Sequence, residues 1–276
     1  MKLTTKIILG FLLTVFLTSL IFIIGFSFTD RKNYERMSNV NIVELSQDKK
    51  TGIELPSFKT IVIEEVPYNR NELSYGVTDK CNIYFEPITE KHSTDMLFIP
   101  EPLKDFVSVN CSVDTLKVTI DIGASIENYK NSEYTFNSVS GINILFNTSK
   151  IDIVNNTDVL PLFISNIETD SMKIFSNGDI NIIDCKALII DPVFRLSYRK
   201  LHIKNCEVRR VNLDLDNIRN WNIENCNIEE EYYTGSGIHD IKFYRSESNI
   251  RTWAPKNKDA KLNIKIQGDT TQFILR

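Results

Sequence analysis

One short phrase recurs three times in the middle of this chain. Ile180-Asn181-Ile182-Ile183-Asp184-Cys185, Leu201-His202-Ile203-Lys204-Asn205-Cys206 and Trp221-Asn222-Ile223-Glu224-Asn225-Cys226 superpose position by position, with their cysteines 21 and 20 residues apart. Weaker copies flank them: Ile142-Asn143-Ile144-Leu145-Phe146-Asn147 and Pro161-Leu162-Phe163-Ile164-Ser165-Asn166 before, Ile241-Lys242-Phe243-Tyr244-Arg245-Ser246 after. A unit of about 20 residues cannot bury an apolar face alone, whereas stacked units share one continuous core; that is the mark of a solenoid.

Each position of the phrase has a physical role. Positions one and three are apolar and position two is mostly polar, the period-two pattern of a strand with one face inward. Position five is Asp184, Asn205 or Asn225, residue types that accept a left-handed bend between strands. Position six is Cys185, Cys206 or Cys226, and equivalent residues of successive coils, about 4.8 Å apart, would form a ladder. Second strands follow at Ile151 and Ile153, Met172 and Ile174, Leu188 and Ile190, and Val211 and Leu213. Apolar spacing of two excludes helices here. Leucine-rich repeats share the period, but their Leu/Asn framework is missing, and no six-residue repeat supports a hexapeptide helix. The expected fold class is all-β, a single-stranded parallel β-solenoid with about 20 residues per coil, preceded by one N-terminal transmembrane helix.

The expected organisation has four parts: a membrane anchor over 1–29, a polar stalk over 30–51, a β region over 52–140 and the solenoid with a C-terminal cap over 141–276. Ile7 to Phe28 is uncharged and spans roughly 30 Å as a helix, the thickness of a hydrocarbon core. It competes with a signal peptide, since Lys2 and Lys6 precede it and Gly25-Phe26-Ser27 offers a small-x-small cleavage site. The run exceeds the roughly 7–15 residues of a signal core, which favours an uncleaved anchor. Lys2 and Lys6 before the run and Arg31, Lys32 and Arg36 after it leave the charge rule undecided. The very short leading tail and the resemblance of the rest to an exported array favour the bulk of the chain outside the cytoplasm, in a periplasm or at a cell surface. Within 52–140, Phe58 to Ile63 and Leu116 to Ile122 alternate as half-buried strands, with Cys81 to Phe85 and Met96 to Ile99 between them. They read either as irregular first coils or as a small β cap over an open end. Leu262 to Ile266 and Phe273 to Leu275 are expected to close the other end.

A net charge of −4 and a pI near 5.6 argue against a nucleic-acid partner, which selects for a basic footprint. The five cysteines are odd in number and show no zinc spacing, so neither metal nor cofactor is expected. A Cys81–Cys111 disulfide stays open for an oxidising compartment. The Cys185, Cys206 and Cys226 ladder reads first as small hydrophobes in a corner and second as a redox or soft-metal site. His92, His202 and His239 share no ligand spacing, and Ser236 between Gly235 and Gly237 reads as a loop.

Two further groups are candidates. Phe194, Tyr232, Tyr233 and Trp253 fall at similar places in successive coils: inward they are core, outward they would form a strip for stacking on sugar rings. Asp214, Asp216, Arg209, Arg210, Glu229 to Glu231 and His239 are the cluster a carbohydrate-cleaving enzyme on this fold would need. The bland reading of those charges is a solvated face.

The order of parts also carries a resemblance. An N-terminal export segment, then Pro56-Ser57-Phe58-Lys59-Thr60-Ile61-Val62-Ile63, a strand region ending in Leu116-Lys117-Val118-Thr119-Ile120-Asp121-Ile122, and an array opening on Gly141-Ile142-Asn143 resemble the auto-transporter-adhesin head domains named for a Gly-Ile-Asn motif. The resemblance covers roughly 52–276 and implies a surface or periplasmic β-solenoid without a catalytic role. The expected function is therefore a non-enzymatic, membrane-anchored, adhesin-like scaffold for protein or glycan contacts. A polysaccharide-active enzyme and an accessory subunit of a membrane complex are the alternatives.

Overall fold

The computed structural model describes residues 14–19, 40–45, 49–66, 81–88, 93–128, 136–148, 151–196, 198–243, 248–266 and 273–275. The array winds as about five turns of about 20 residues. Coil I is Leu162–Ser165 with Glu168–Ser176, and coil II is Ile180–Ile183 with Lys186–Phe194. Coil III is Lys200–Lys204 with Glu207–Asp214, and coil IV is Asn220–Glu224 with Asn227–Gly235. Coil V is Ile238–Phe243 with Ser248–Pro255. First strands of coils I to IV stack in parallel register as Leu162, Ile180, Leu201 and Trp221. Second strands stack as Met172, Ile190, Val211, Glu231 and Arg251.

Alternation explains the core. The inward ranks Leu162, Ile180 and Leu201, and Ile164, Ile182 and Ile203, are all buried, and they face Met172, Ile174, Ile190, Val211 and Leu213 from the second strands. Long second strands break the alternation once, with two successive outward residues such as Leu188-Ile189 and Arg209-Arg210 between inward ones. The strand must bend there, since period two would send one of each pair inward. Where coils I and II meet, the backbone passes so closely that a Cβ on Gly178 would lie 2.0 Å from the Leu160 carbonyl oxygen.

The bend residues adopt the left-handed conformation expected of them, Asp184 at φ 54°, Asn205 at 54° and Asn225 at 52°. Asn166 joins them at 57°. That corrects the alignment of the weak copy at 161–166. The pairing of Leu162 with Ile180 makes Asn166 the bend residue, and Ile167 rather than Asn166 heads the cysteine column.

A second correction concerns Ile142–Asn147. It lies about one coil before Leu162 in sequence but is not its neighbour in space. Cys81–Glu86 is inserted between the two and pairs in parallel with both. Thr60–Glu65 is likewise held between Thr115–Ile120 and Ile153–Asn156. These earlier strands carry the same apolar alternation as the coils, so they serve as rungs regardless of their place in the chain. Antiparallel strands close this end: Met96–Pro100 and Lys50–Glu54 on one sheet, Val107–Ser112 on the other. The stretch expected as a stalk contributes Val40–Glu44, which pairs with Phe136–Ser140.

At the opposite end, Ile238–Phe243 does not lie on Asn220–Glu224 as the repeat predicts. It pairs with Lys261–Ile266 in a separate two-stranded sheet. One face of the solenoid is thus an eight-stranded sheet ending at Asn220–Glu224 and the other a ten-stranded sheet running on to Phe273–Leu275. Of the apolar run Ile7 to Phe28, residues 14–19 are helical; the rest of the expected anchor lies outside the described residues. Among the described residues no helix is long and apolar enough to cross a membrane.

Candidate functional site

The cysteine column is continuous. The Cys206 sulfur accepts the Cys185 amide at 3.4 Å and the Cys226 sulfur accepts the Cys206 amide at 3.4 Å. Each thiol in turn donates to a carbonyl of its own coil, Ile183 at 3.3 Å, Lys204 at 3.2 Å and Glu224 at 3.1 Å. The hydrogen bond shared with Cys206 lowers the Cys185 pKa, and the same bond pushes Cys206 up to about 11. Cys226 is raised by its bond to Cys206 and by burial, and Cys81 by burial. Thiols that donate to carbonyls in an apolar corner act as packing groups. Cys81 and Cys111 are both free and lie on different sheets.

The aromatic set does not form an outward strip. Phe194, Tyr233 and Trp253 point into the core at 1%, 1% and 8% exposure. Tyr232 faces outward, with the Arg210 guanidinium 5.2 Å from its ring centre. Period two decides this, because neighbours 232 and 233 must face opposite ways. An outward aromatic pair exists elsewhere: Tyr84 and Phe163, adjacent rungs of the eight-stranded sheet, stack at 4.9 Å. The signal for it was hidden, since the two residues are far apart in sequence.

The charged cluster divides into three. Arg209 and Arg210 pair outward with Glu229 at 3.7 Å and Glu230 at 2.6 Å. Lys186 pairs with Glu207 at 3.3 Å. Lys186, Glu207, Arg209 and Glu229, but not Arg210 and Glu230, line a groove of about 590 Å³ along the corner of coils I to IV, with Glu168 and Asp170 at one end. Glu231 is inward and buried against Arg251 at 3.4 Å. The Tyr233 and Ser248 hydroxyls both donate to its carboxylate.

Asp214, Asp216 and His239 do come together, around a lysine that sequence reasoning missed. Lys256 Nζ lies 2.6 Å from Asp214 Oδ1 and 2.9 Å from Asp216 Oδ2, and His239 Nε2 lies 3.2 Å from Asp216 Oδ1. The Ser236 amide adds bonds of 2.9 and 3.1 Å to Asp216. Partial burial acts to raise the Asp216 pKa, but the Ser236 amide and the Lys256 ammonium outweigh it and hold the carboxyl well below the usual range. Lys256 is raised: burial acts against its charge, and the two carboxylates overcome that. His202 lies 3.6 Å from Glu224, far from this cluster, and His92 lies outside the described residues. Among the described residues no group of three or more His, Cys, Asp or Glu could hold a metal ion.

No protein-family model matches the chain, and no curated protein matches it. Solved structures are similar at low identity. A candidate adhesin of Bacteroides fragilis is 14% identical over 84% of this chain and 99% of its own, with a TM-score of 0.49. A candidate lipid-binding protein of Parabacteroides distasonis is 11% identical over 85% and 100%, with a TM-score of 0.44. A candidate adhesin of Parabacteroides merdae is 10% identical over 85% and 99%, with a TM-score of 0.41.

Proposed function

We propose that this chain is a non-enzymatic, adhesin-like scaffold, held in a membrane by Ile7 to Phe28. Its solenoid lies outside the cytoplasm and meets protein or glycan partners along its outward faces. The observation that carries this reading is the corner groove, in which each coil adds one charged rung to a continuous open surface. Exposed pairs such as Arg209 with Glu229 add little stability, so a row of them is better suited to recognition than to holding the fold. Catalysis by the acidic cluster is disfavoured on chemical grounds. An Asp216 held ionised by Ser236 and Lys256 has no proton to give as a general acid at neutral pH.

The test uses the full chain in detergent micelles on glycan and peptide arrays. Binding should fall at least tenfold with Arg209→Glu or Glu229→Arg and should stay low when both reversals are combined, since the partner then meets the inverted charge pattern. Release of reducing ends from a polysaccharide, abolished by Asp214→Asn and Asp216→Asn, would replace this reading with the enzymatic one. Protease added outside intact cells should digest the solenoid; full protection would remove the extracytoplasmic placement.

A further inference from the structure

The two faces of the solenoid end at different coils. On the ten-stranded side Asn227–Gly235 continues to Ser248–Pro255 and then to Phe273–Leu275. On the eight-stranded side Asn220–Glu224 is the last strand among the described residues, and its expected successor Ile238–Phe243 pairs with Lys261–Ile266. The cause is local. Between coils III and IV the corner occupies residues 215–219, whereas between coils IV and V Ser236 and Gly237 are all that separate Gly235 from Ile238. The chain leaves the corner early and enters its next strand out of step with the rung below.

Main-chain geometry shows what this leaves open. The Glu224 carbonyl accepts the Asn205 amide at 2.9 Å, so the backbone groups of Glu224, Asn222 and Asn220 face coil III. Alternation turns the N–H and C=O groups of Trp221 and Ile223 the other way, toward the break, where no strand among the described residues pairs with them. Their side chains register the same loss. Trp221 and Ile223 are half-buried, while Leu201 and Ile203, one rung below, are 1% and 0% exposed. Among the described residues Ile238–Phe243 likewise pairs on one edge only. A break in one sheet, bridged by continuous pairing in the other, is therefore bounded by strand edges on both sides.

We propose that this break accepts a strand: an extended segment of a partner polypeptide pairs with Asn220–Glu224 and completes the rung. A polypeptide backbone offers N–H and C=O groups at strand spacing on both of its edges, which a polysaccharide does not. The occupant places two apolar side chains, two residues apart, on Trp221 and Ile223. Between coils III and IV the outward rank runs from Lys204 to Glu224. A lysine or arginine in the occupant continues that alternation beside Glu224. Recognition here is through the main chain, so it stands apart from the charged groove, and groove reversals leave it intact.

Hydrogen exchange resolved to single amides tests the site in the full chain in detergent micelles. With the break open, the Trp221 and Ile223 amides exchange at least about 100-fold faster than those of Leu201 and Ile203, which are bonded to coil IV. Equal protection in the free chain would show the break closed and end the proposal. A phage library of nonapeptides panned on the same chain should enrich sequences with alternating apolar residues and a lysine or arginine. A selected peptide should raise protection at Trp221 and Ile223 at least tenfold, and N-methylation at its alternate residues should cost at least tenfold in binding. Ile223→Pro removes one amide facing the break and spares the ladder to coil III, so enrichment should vanish on that variant. No enrichment over Ile223→Pro would overturn the assignment. So would protection that grows with protein concentration without peptide, since a second copy would then be the occupant.

Discussion

One column of the core runs through two different chemistries. In coils I to III it is Met172, Ile190 and Val211, each fully buried; in coils IV and V the same rank is Glu231 and Arg251, each 2% exposed. The backbone stack fixes the direction in which each of these side chains points, and nothing more. The apolar rungs gain from leaving water at roughly 25 cal/mol per Å². The ionic rung starts from a desolvation penalty of several kcal/mol per charge, offset by the Arg251, Tyr233 and Ser248 donors that converge on the Glu231 carboxylate. Tyr233, kept neutral by burial and by the Glu231 charge, donates to that carboxylate, as does Ser248. This polar rung lies in the coils where the eight-stranded sheet breaks off.

The largest expected effect breaks the comparison directly. Glu231→Leu or Arg251→Met alone leaves a buried charge without its partner and should cost about 3–5 kcal/mol in urea unfolding, while the double variant should recover most or all of it. Single losses under about 1 kcal/mol would mean that the pair behaves as a surface pair and that the two halves of the column do not differ. The next effect concerns a bend within the regular coils. Asn205→Ala must hold φ near 54° and loses the 3.0 Å bond from its amide to Asp184, so it should cost about 1–2 kcal/mol. Asn205→Gly loses the same bond but adopts that conformation freely, so it should cost less than the alanine variant.

The smallest effect sharpens the account of the polar end. The Asp216 pKa is depressed in the folded chain, so its contribution is complete above the ordinary carboxylate value of about 3.9 and is lost as pH falls through the folded value. Asp216→Asn should lower stability by about 1 kcal/mol at neutral pH. It should also flatten the fall in melting temperature on acidification. An unchanged acid limb would place the acid sensitivity elsewhere.

The sequence made the repeat legible because rung, bend and ladder each demand a narrow set of residues at one spacing. Asp184, Asn205 and Asn225, and the cysteines after them, could be placed for that reason. The 161–166 copy slipped by one because Ile167 takes the cysteine position with a different residue type. Glu229 to Glu231 read as a solvated run, yet the double outward step at Glu229 and Glu230 and the register with Val211 send Glu231 inward; its partners Arg251 and Ser248 belong to the next coil and leave no local mark. Lys256 escaped notice in the same way, being a surface lysine until the corners of coils III and V bring it to Asp214 and Asp216. The order of the early strands was not legible at all, since pairing of Cys81–Glu86 with both Ile142–Asn147 and Leu162–Ser165 depends on contacts far apart along the chain.

That interleaving bears on when the molecule can form. A simple solenoid could wind turn by turn as it leaves the ribosome. Here Cys81–Glu86 waits unpaired until Ile142–Asn147 and Leu162–Ser165 have been made, and Thr60–Glu65 waits for Thr115–Ile120 and Ile153–Asn156. Synthesis must therefore run well past the start of the array before its base can close, and contacts between such distant segments assemble slowly.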